Sequence, residues 1–310
     1  MRHHGFTLSA LVLLGVGCGS PGPGGTPARA PAADDSALSV YVVNYPLAYF
    51  AERIGGDLVD VAFPAPSDGD PAFWSPDADA VAAYQAADLI LLNGAGYAAW
   101  VDRVALPPSR LVDTSESFRD RYIVIEDAVT HSHGPEGDHS HGEVAFTTWL
   151  DPTLAIEHAA AIRGAFAAAR PDHEAAFVKG FESLKADLHE LDATLEQVTA
   201  GRSQMPLLGS HPVYQYLVRR YGLNLRSVHF EPDEDPGEEN WQYLEKILTE
   251  HPARWMLWEA EPLRATADRL EGRGIKSVVY NPCGNVPEHS DFLTVMKSNL
   301  ANLERTLAAP

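Results

Sequence analysis

The sequence predicts an α/β protein with two doubly wound lobes of mostly parallel sheet, joined by one long bridging helix. Three observations carry that expectation. Short, continuously apolar runs such as SVYVVN (39–44), DLILL (88–92) and WMLW (255–258) alternate with helical patterns in both halves, as buried parallel strands do between covering helices. Between the halves, Phe177, Phe181, Leu184, Leu188, Leu191, Leu195 and Val198 recur at steps of four and three. That spacing draws one apolar stripe along a helix over 171–198, about 42 Å long at ~1.5 Å per residue. The chain length of 310 residues suits two domains.

Within the first half, Ser39–Asn44 and Leu58–Phe63 read as strands around a helix, Pro46–Ile54, which Gly55-Gly56 ends. Asp77–Ala87 is a helix, Asp88–Leu92 a strand, Tyr97–Val104 a short helix, and Arg110–Val112 and Tyr122–Ile125 short strands. Asp151 followed by Pro152 starts the helix Thr153–Ala169, the aspartate as N-cap and the proline in the first turn. Pro171 suits the first turn of the bridging helix, and Gly201 the left-handed position past its end. A coiled coil would share the stripe, but Lys179, Gly180 and Glu182 give no e/g charge code.

In the second half, Pro206–Leu208, Asn224–Phe230, Trp255–Trp258 and Ser277–Tyr280 are strands. Val213–Tyr221, Trp241–Thr249, Leu263–Leu270 and Phe292–Leu307 are helices. The acidic, Pro-containing stretch 231–239 is a loop. The organisation is therefore a signal segment at 1–18, a Pro/Gly/Ala linker at 19–37, an N-terminal lobe at 38–170 with a His-rich loop at 130–143, the bridging helix at 171–200 and a C-terminal lobe at 201–310.

The N-terminus reads as a processing signal. Phe6–Val16 is apolar but too short to span a bilayer. It runs into Leu14-Gly15-Val16-Gly17-Cys18, which resembles a bacterial lipoprotein signal with Cys18 lipidated; an ordinary cleaved signal peptide would equally mean export. The protein is then periplasmic or at the cell surface, held to the membrane by lipid at Cys18. Cys283 is the only other cysteine, a buried or idle thiol with no partner for a disulfide if Cys18 is lipidated. Net charge is −20 with a pI near 4.9, which excludes nucleic acid and electrostatic binding to anionic lipid and suits attraction of cations. Nothing suggests an assembly beyond a monomer.

Open parallel sheets bind ligands beyond the carboxyl ends of their strands. Those positions are Ala72–Trp74, Thr147–Trp149, Ser210-His211, His229–Glu231, Glu259, Glu261 and Asn281–Cys283. Trp74, Thr147, Trp149 and Asn281 are the expected pocket residues. The His-rich loop places His131, His133, His139 and His141 among Gly, Pro, Ser, Asp and Glu, with no aliphatic residue to pack. Neutral imidazole is a good ligand for zinc, copper and nickel, so these four, with His211, His229 and Glu259, are the candidate metal ligands. His-Glu-x-x-His, Gly-x-Ser-x-Gly, Walker and Gly-x-Gly-x-x-Gly signatures are missing, and the chain is not expected to be an enzyme.

Several stretches together resemble the metal-binding lipoproteins and periplasmic proteins of bacterial zinc/manganese ABC importers. They are YVVNYPLAYFAERIGGDLVDV (41–61), DPAFWSPDADAVAAYQAADLILLNGAGYAAWVDR (70–103), the His-rich loop, TTWLDPTLAIEHAAAI (147–162), GSHPVYQYLVRRYGL (209–223) and WMLWEAEP (255–262). The resemblance implies two α/β lobes, a bridging helix that limits hinge motion, and delivery of a divalent metal to a membrane permease. It also exposes a divergent site. His211 matches a family ligand, but Ala72 and Thr147 stand where the family has histidines, and Asn281 where it has a carboxylate.

The leading expectation is therefore an importer subunit that has moved its metal site, carrying zinc or another divalent transition metal, with the loop folding across the crevice. The same fold binding a metal chelate or small organic solute is the alternative, and a metal-dependent hydrolase a third. Zinc titrations of the protein with and without residues 131–141 test the loop: we expect the deletion to weaken binding, and equal tight binding by both would remove the loop from the site.

Overall fold

A computed structural model describes residues 36–125, 144–202 and 204–308, and the backbone of 130–133 and 137–140. The expected signal peptide and linker, Cys18 and His141 lie outside the described residues, and at His131, His133 and His139 the description is of backbone alone. Residues 37–310 form one compact unit.

The first sheet is built from β1 (Leu38–Val42), β2 (Val59–Ala62), β3 (Leu89–Leu92) and β4 (Leu111–Asp113), all parallel, in the order β2-β1-β3-β4. Helix α1 (Tyr45–Gly55) crosses from β1 to β2, and α2 (Ala78–Ala86) leads into β3. Each starts on a side-chain cap: Asn44 accepts from the Leu47 amide and Asp77 from Ala80, satisfying donors the helix itself leaves open. Two expected elements differ. Tyr97–Val104 forms only a 3-10 turn, Ala99–Arg103, because Gly94, Ala95, Gly96 and Ala98 all take positive φ and turn the backbone away from a helical start. Tyr122–Ile125 is no sheet strand. Val124 makes one isolated bridge to Val144, and the Ile123 amide is taken by the Tyr216 hydroxyl instead of a ladder.

Part of the expected His-rich loop is a two-stranded antiparallel ribbon, β5 (Thr130–His133) with β6 (Gly137–Ser140), pairing His131 with His139. Ladder hydrogen bonds are made by the backbone, so a polar sequence without a packing face still forms them. Helix α3 (Pro152–Ala169) follows, capped by Asp151 through the Thr153 amide. The bridging helix begins with a 3-10 turn at Pro171–His173 and continues as α4 (Glu174–Thr199). All seven stripe residues from Phe177 to Val198 are buried, and α4 packs against α1, α3 and α8.

The second sheet repeats the first plan. β7 (Pro206–Gly209), α5 (Gln215–Tyr221), β8 (Asn224–Ser227), α6 (Glu238–Glu250), β9 (Trp255–Trp258), α7 (Arg264–Glu271) and β10 (Lys276–Val279) give a parallel sheet in the order β10-β9-β7-β8. The closing helix α8 (Phe292–Ala308) reaches across both sheets. It packs on β10 of the second and on α1 of the first, where Phe292 meets Phe50 edge-on at 5.2 Å. Around the bridging helix the ion pairs are few and specific. Arg220 of α5 grips Asp192 of α4 through Nε and Nη2 at 2.9 and 2.5 Å, the Tyr221 hydroxyl donates to the same carboxylate at 2.8 Å, and Arg53 of α1 reaches Asp187 at 2.6 Å.

Gly180 sets how closely α1 and α4 approach: a Cβ there would lie 2.5 Å from the Ile54 carbonyl oxygen and 2.8 Å from that of Arg53. These are backbone atoms and cannot swing aside. Gly180→Ala should destabilise the chain by ~1–3 kcal/mol, the usual cost of overpacking, read as a lower midpoint in chemical denaturation with unchanged slope.

Candidate metal centre

Both sheets reverse strand order at one place, and there the loops diverge to leave a crevice. In the first sheet this lies between β1 and β3. Asn44 and Asn93 meet across it, Asn44 Nδ2 donating to Asn93 Oδ1 at 3.0 Å, and Asn93 Nδ2 donates on to the Phe146 carbonyl. In the second sheet it lies between β7 and β9, which places His211 two residues past β7 beside Glu259, one residue past β9. The two crevices open into one cleft of about 670 Å³. Among the described residues its lining carries seven carboxylates, Asp68, Asp70, Glu231, Asp233, Glu234, Glu259 and Glu261, and neither lysine nor arginine.

His211 is buried, its side chain only 8% exposed, with a carboxylate at each ring nitrogen. Nδ1 stands 3.3 Å from Glu259 Oε1, and Nε2 3.4 Å from Glu231 Oε1. The His229 ring sits edge-on to it with centroids 5.9 Å apart. Burial opposes a charge on His211, but Glu259, Glu231 and Asp70 outweigh it, and its pKa is raised. Asp70 is open to water along the cleft, yet protein atoms surround its carboxyl. That crowding, helped by Glu259 and Glu231 and opposed by the Ala72 amide and His211, pushes it up to about 6. Glu231 is raised as well, first by burial and then by Glu259, against the pull of His211. All three shifts favour protonation of the groups around His211. Among the described residues no three His, Cys, Asp or Glu side chains already converge on one metal position.

The cleft is also lined by four aromatic side chains, Phe73, Tyr97, Phe146 and Trp149. Tyr97 meets Phe146 and Trp149 edge-on at 5.2 and 5.8 Å, and Phe73 meets Phe146 at 6.3 Å. The Tyr97 hydroxyl is buried and has no hydrogen-bond partner among the described residues.

Three of the four expected pocket residues line the cleft, and each has a side-chain polar atom bonded to backbone. Thr147 Oγ1 donates to the Val213 carbonyl across the cleft floor. Trp149 Nε1 donates to Pro282 O at 2.8 Å. Asn281 Oδ1 accepts from the Cys283 amide at 2.6 Å, which holds Cys283 at a φ of +59° with its thiol buried and pushed up to about 12. The expectation for Trp74 is corrected. Its ring turns to a neighbouring pocket and packs edge-on against Trp100 at 6.1 Å, and Phe73 faces the cleft instead. Of the expected ligands, His211 and Glu259 face the cleft, and His229 stands behind His211. Asp70, Glu231 and Tyr97 were absent from the ligand and pocket sets read from sequence. The signals available were the Asp70-Pro71 pair in the family's first ligand segment and the acidic loop that Glu231 opens.

The sequence profile of the family described as "Zinc-uptake complex component A periplasmic" (ZnuA) matches residues 40–306. The chain belongs to this family. Its members are zinc- and manganese-binding solute proteins of ABC uptake systems, not enzymes, which agrees with the missing catalytic signatures. The chain is 23% identical over 221 residues to the manganese-binding lipoprotein MntA of Halalkalibacterium halodurans, an alignment covering 71% of this chain and 67% of that one. It is 26% identical over 167 residues to the high-affinity zinc uptake system protein ZnuA of Yersinia pestis, covering 50% of each. Among solved structures, the Zn(II)-bound ZnuA-like domain of Streptococcus pneumoniae AdcA superposes with a TM-score of 0.76 at 22% identity, over 88% of this chain and all of that domain. The metal-dependent lipoprotein YcdH of Bacillus subtilis superposes at 0.74 and 23% identity, over 87% and 99%. At these identities the superpositions establish the two-lobed fold.

The raised groups give the metal-free protein a pH signature. Ionising Asp70 costs stability in the folded chain, a cost absent below its ordinary value of 3.8 and complete above about 6. Charged His211 contributes stability that is fully present below 6.5 and lost as pH rises through its raised folded value. Both effects have the same sign. The stability advantage of wild type over an Asp70→Asn, His211→Gln double variant should shrink steadily from about pH 4 to pH 8 in chelator-treated thermal melts; an advantage that grows with pH would contradict this account.

Proposed function

We propose that this chain is the extracytoplasmic binding component of an ABC-type importer, tethered by lipid at Cys18, that captures zinc in the cleft and hands it to a membrane permease. The observation that carries the reading is His211 bracketed by Glu231 and Glu259 in a cleft whose other charged groups, among the described residues, are all carboxylates. With His211 and Asp70 deprotonated, an entering dication draws Glu259, Glu231 and Asp70 toward His211, giving one imidazole and up to three carboxylate ligands. Asp70 takes over the first-lobe contribution from the loop that carries Ala72. The loop histidines, His131, His133, His139 and His141, are proposed as additional ligands.

Zinc is the favoured cargo because imidazole ligation suits it and the matched family is one of zinc uptake. Manganese is the second reading, favoured by the excess of carboxylate oxygen over nitrogen in the described donor set. Isothermal titration of wild type and His211→Ala with each ion decides between them. Binding should weaken by roughly 100-fold in the variant, the ~3 kcal/mol expected for losing a desolvated charged contact. It should also weaken from pH 7.5 to 5.5 as protons compete for the site. Undiminished binding by the variant would move the site away from His211, and a tighter manganese than zinc isotherm would select the second reading.

A further inference from the structure

We propose that Asn285 is a positioning residue for the metal cleft: it holds the loop bearing Asp70 in place beside His211 and so sets how long a captured metal stays. This rests on the reading of Asp70 as the ligand supplied by the first lobe.

The proposed donors are held unequally. His211, Glu231 and Glu259 share one backbone network in the second half. The Ser210 amide donates to Leu257 O at 2.8 Å, the Phe230 amide to Ser210 O at 2.7 Å, and the Leu263 amide to Pro232 O at 2.8 Å. Asp70 stands apart, on the connection from β2 to α2. Its own turn is local: Oδ1 accepts from the Ala72 amide at 2.9 Å and the main-chain carbonyl from the Phe73 amide at 3.1 Å. Among the described residues, the hydrogen bonds that reach 64–70 from outside this connection all come from Asn285. Its Nδ2 donates to Pro66 O at 2.7 Å and to Gly69 O at 2.9 Å. Gly69 is joined directly to Asp70, so the clamp ends one peptide from the ligand.

The clamp has a firm base. The Asn299 side chain of α8 brackets the N–H and C=O of Asn281 at 2.9 and 2.7 Å. Trp149 Nε1 donates to Pro282 O, and the Tyr45 amide to Gly284 O at 3.0 Å. The Asn285 carboxamide is also fully used. Both Nδ2 protons go to the two carbonyls, while Oδ1 accepts from the Val286 amide at 2.7 Å. Two carbonyls require a donor of two protons. An isosteric aspartate would set a carboxylate oxygen against them, at the edge of a cleft already rich in carboxylates. Losing the clamp frees Asp70 while the second-half donors stay in place, so metal leaves on the Asp70 side.

Zinc release from the loaded protein into excess EDTA, followed by stopped flow, tests this. Asn285→Asp and Asn285→Ala, each with its fold checked by thermal melting, lose both bonds. They should release zinc about 10-fold faster than wild type, or ~1.4 kcal/mol. Asp70→Asn alone should also release it faster. Added to Asp70→Asn, the Asn285 substitutions should change release by less than about 2-fold, because Asn285 acts through Asp70. An equal acceleration in both backgrounds would mean a general loosening of the two halves and would overturn the positioning role. Wild-type release in both Asn285 variants would overturn it too and leave the ligand reading of Asp70 standing. Wild-type release in Asp70→Asn would overturn that reading and this inference together.

Discussion

One imidazole held between two carboxylates governs the chemistry of this cleft. His211 is buried, so a charge on it is costly, yet leaving Glu231 and Glu259 unneutralised beside it is costlier. Protons settle the conflict in the apo protein, on His211 and, at mildly acidic pH, on Asp70. In the proposed site a dication would neutralise several carboxylates at once, and its binding would release these protons.

Topology explains why these groups meet. His211 and Glu259 lie 48 positions apart in sequence, but β7 and β9 are hydrogen-bonded neighbours and the strand order reverses between them. Loops leaving the two strands diverge, and the side chains just past the strand ends face the gap. Glu231 arrives from the loop after β8, the other neighbour of β7. Asp70 comes from the first sheet, on the loop between β2 and α2. That loop is fastened to the second half by Asn285, whose Nδ2 donates to the carbonyls of Pro66 at 2.7 Å and Gly69 at 2.9 Å. Further hydrogen bonds cross between the halves, from Trp149 to Pro282 and from Thr147 to Val213. Thr147 and Asn281 line the cleft, and the hydroxyl of one and the side-chain oxygen of the other bond to backbone groups. Around them, α4 packs its buried stripe against α1, α3 and α8, and Arg220 and Tyr221 of α5 bond to its Asp192.

Local pattern alone determined much of this. The four-three spacing of Phe177 to Val198 defines a helix with one buried face wherever it is placed, and all seven side chains are buried. Asp151-Pro152 and Asp77 mark helix starts through bonds to their own next few residues, and strand after strand was legible as an apolar run. His211 and Glu259 could be named because each directly follows such a run. What failed was whatever depended on distant partners. Tyr122–Ile125 has a strand's composition, but the Tyr216 hydroxyl, 93 residues away, takes the Ile123 amide. Whether Phe73 or its neighbour Trp74 faces the cleft depends on Trp100, against which the indole packs. The pairing of His211 with Glu231, the raised pKa of Asp70 and the unpaired hydroxyl of Tyr97 were likewise decided only by the tertiary structure. Helix periodicity and capping act within a few residues, whereas desolvation and Coulomb energy depend on which distant groups the fold brings within a few ångströms.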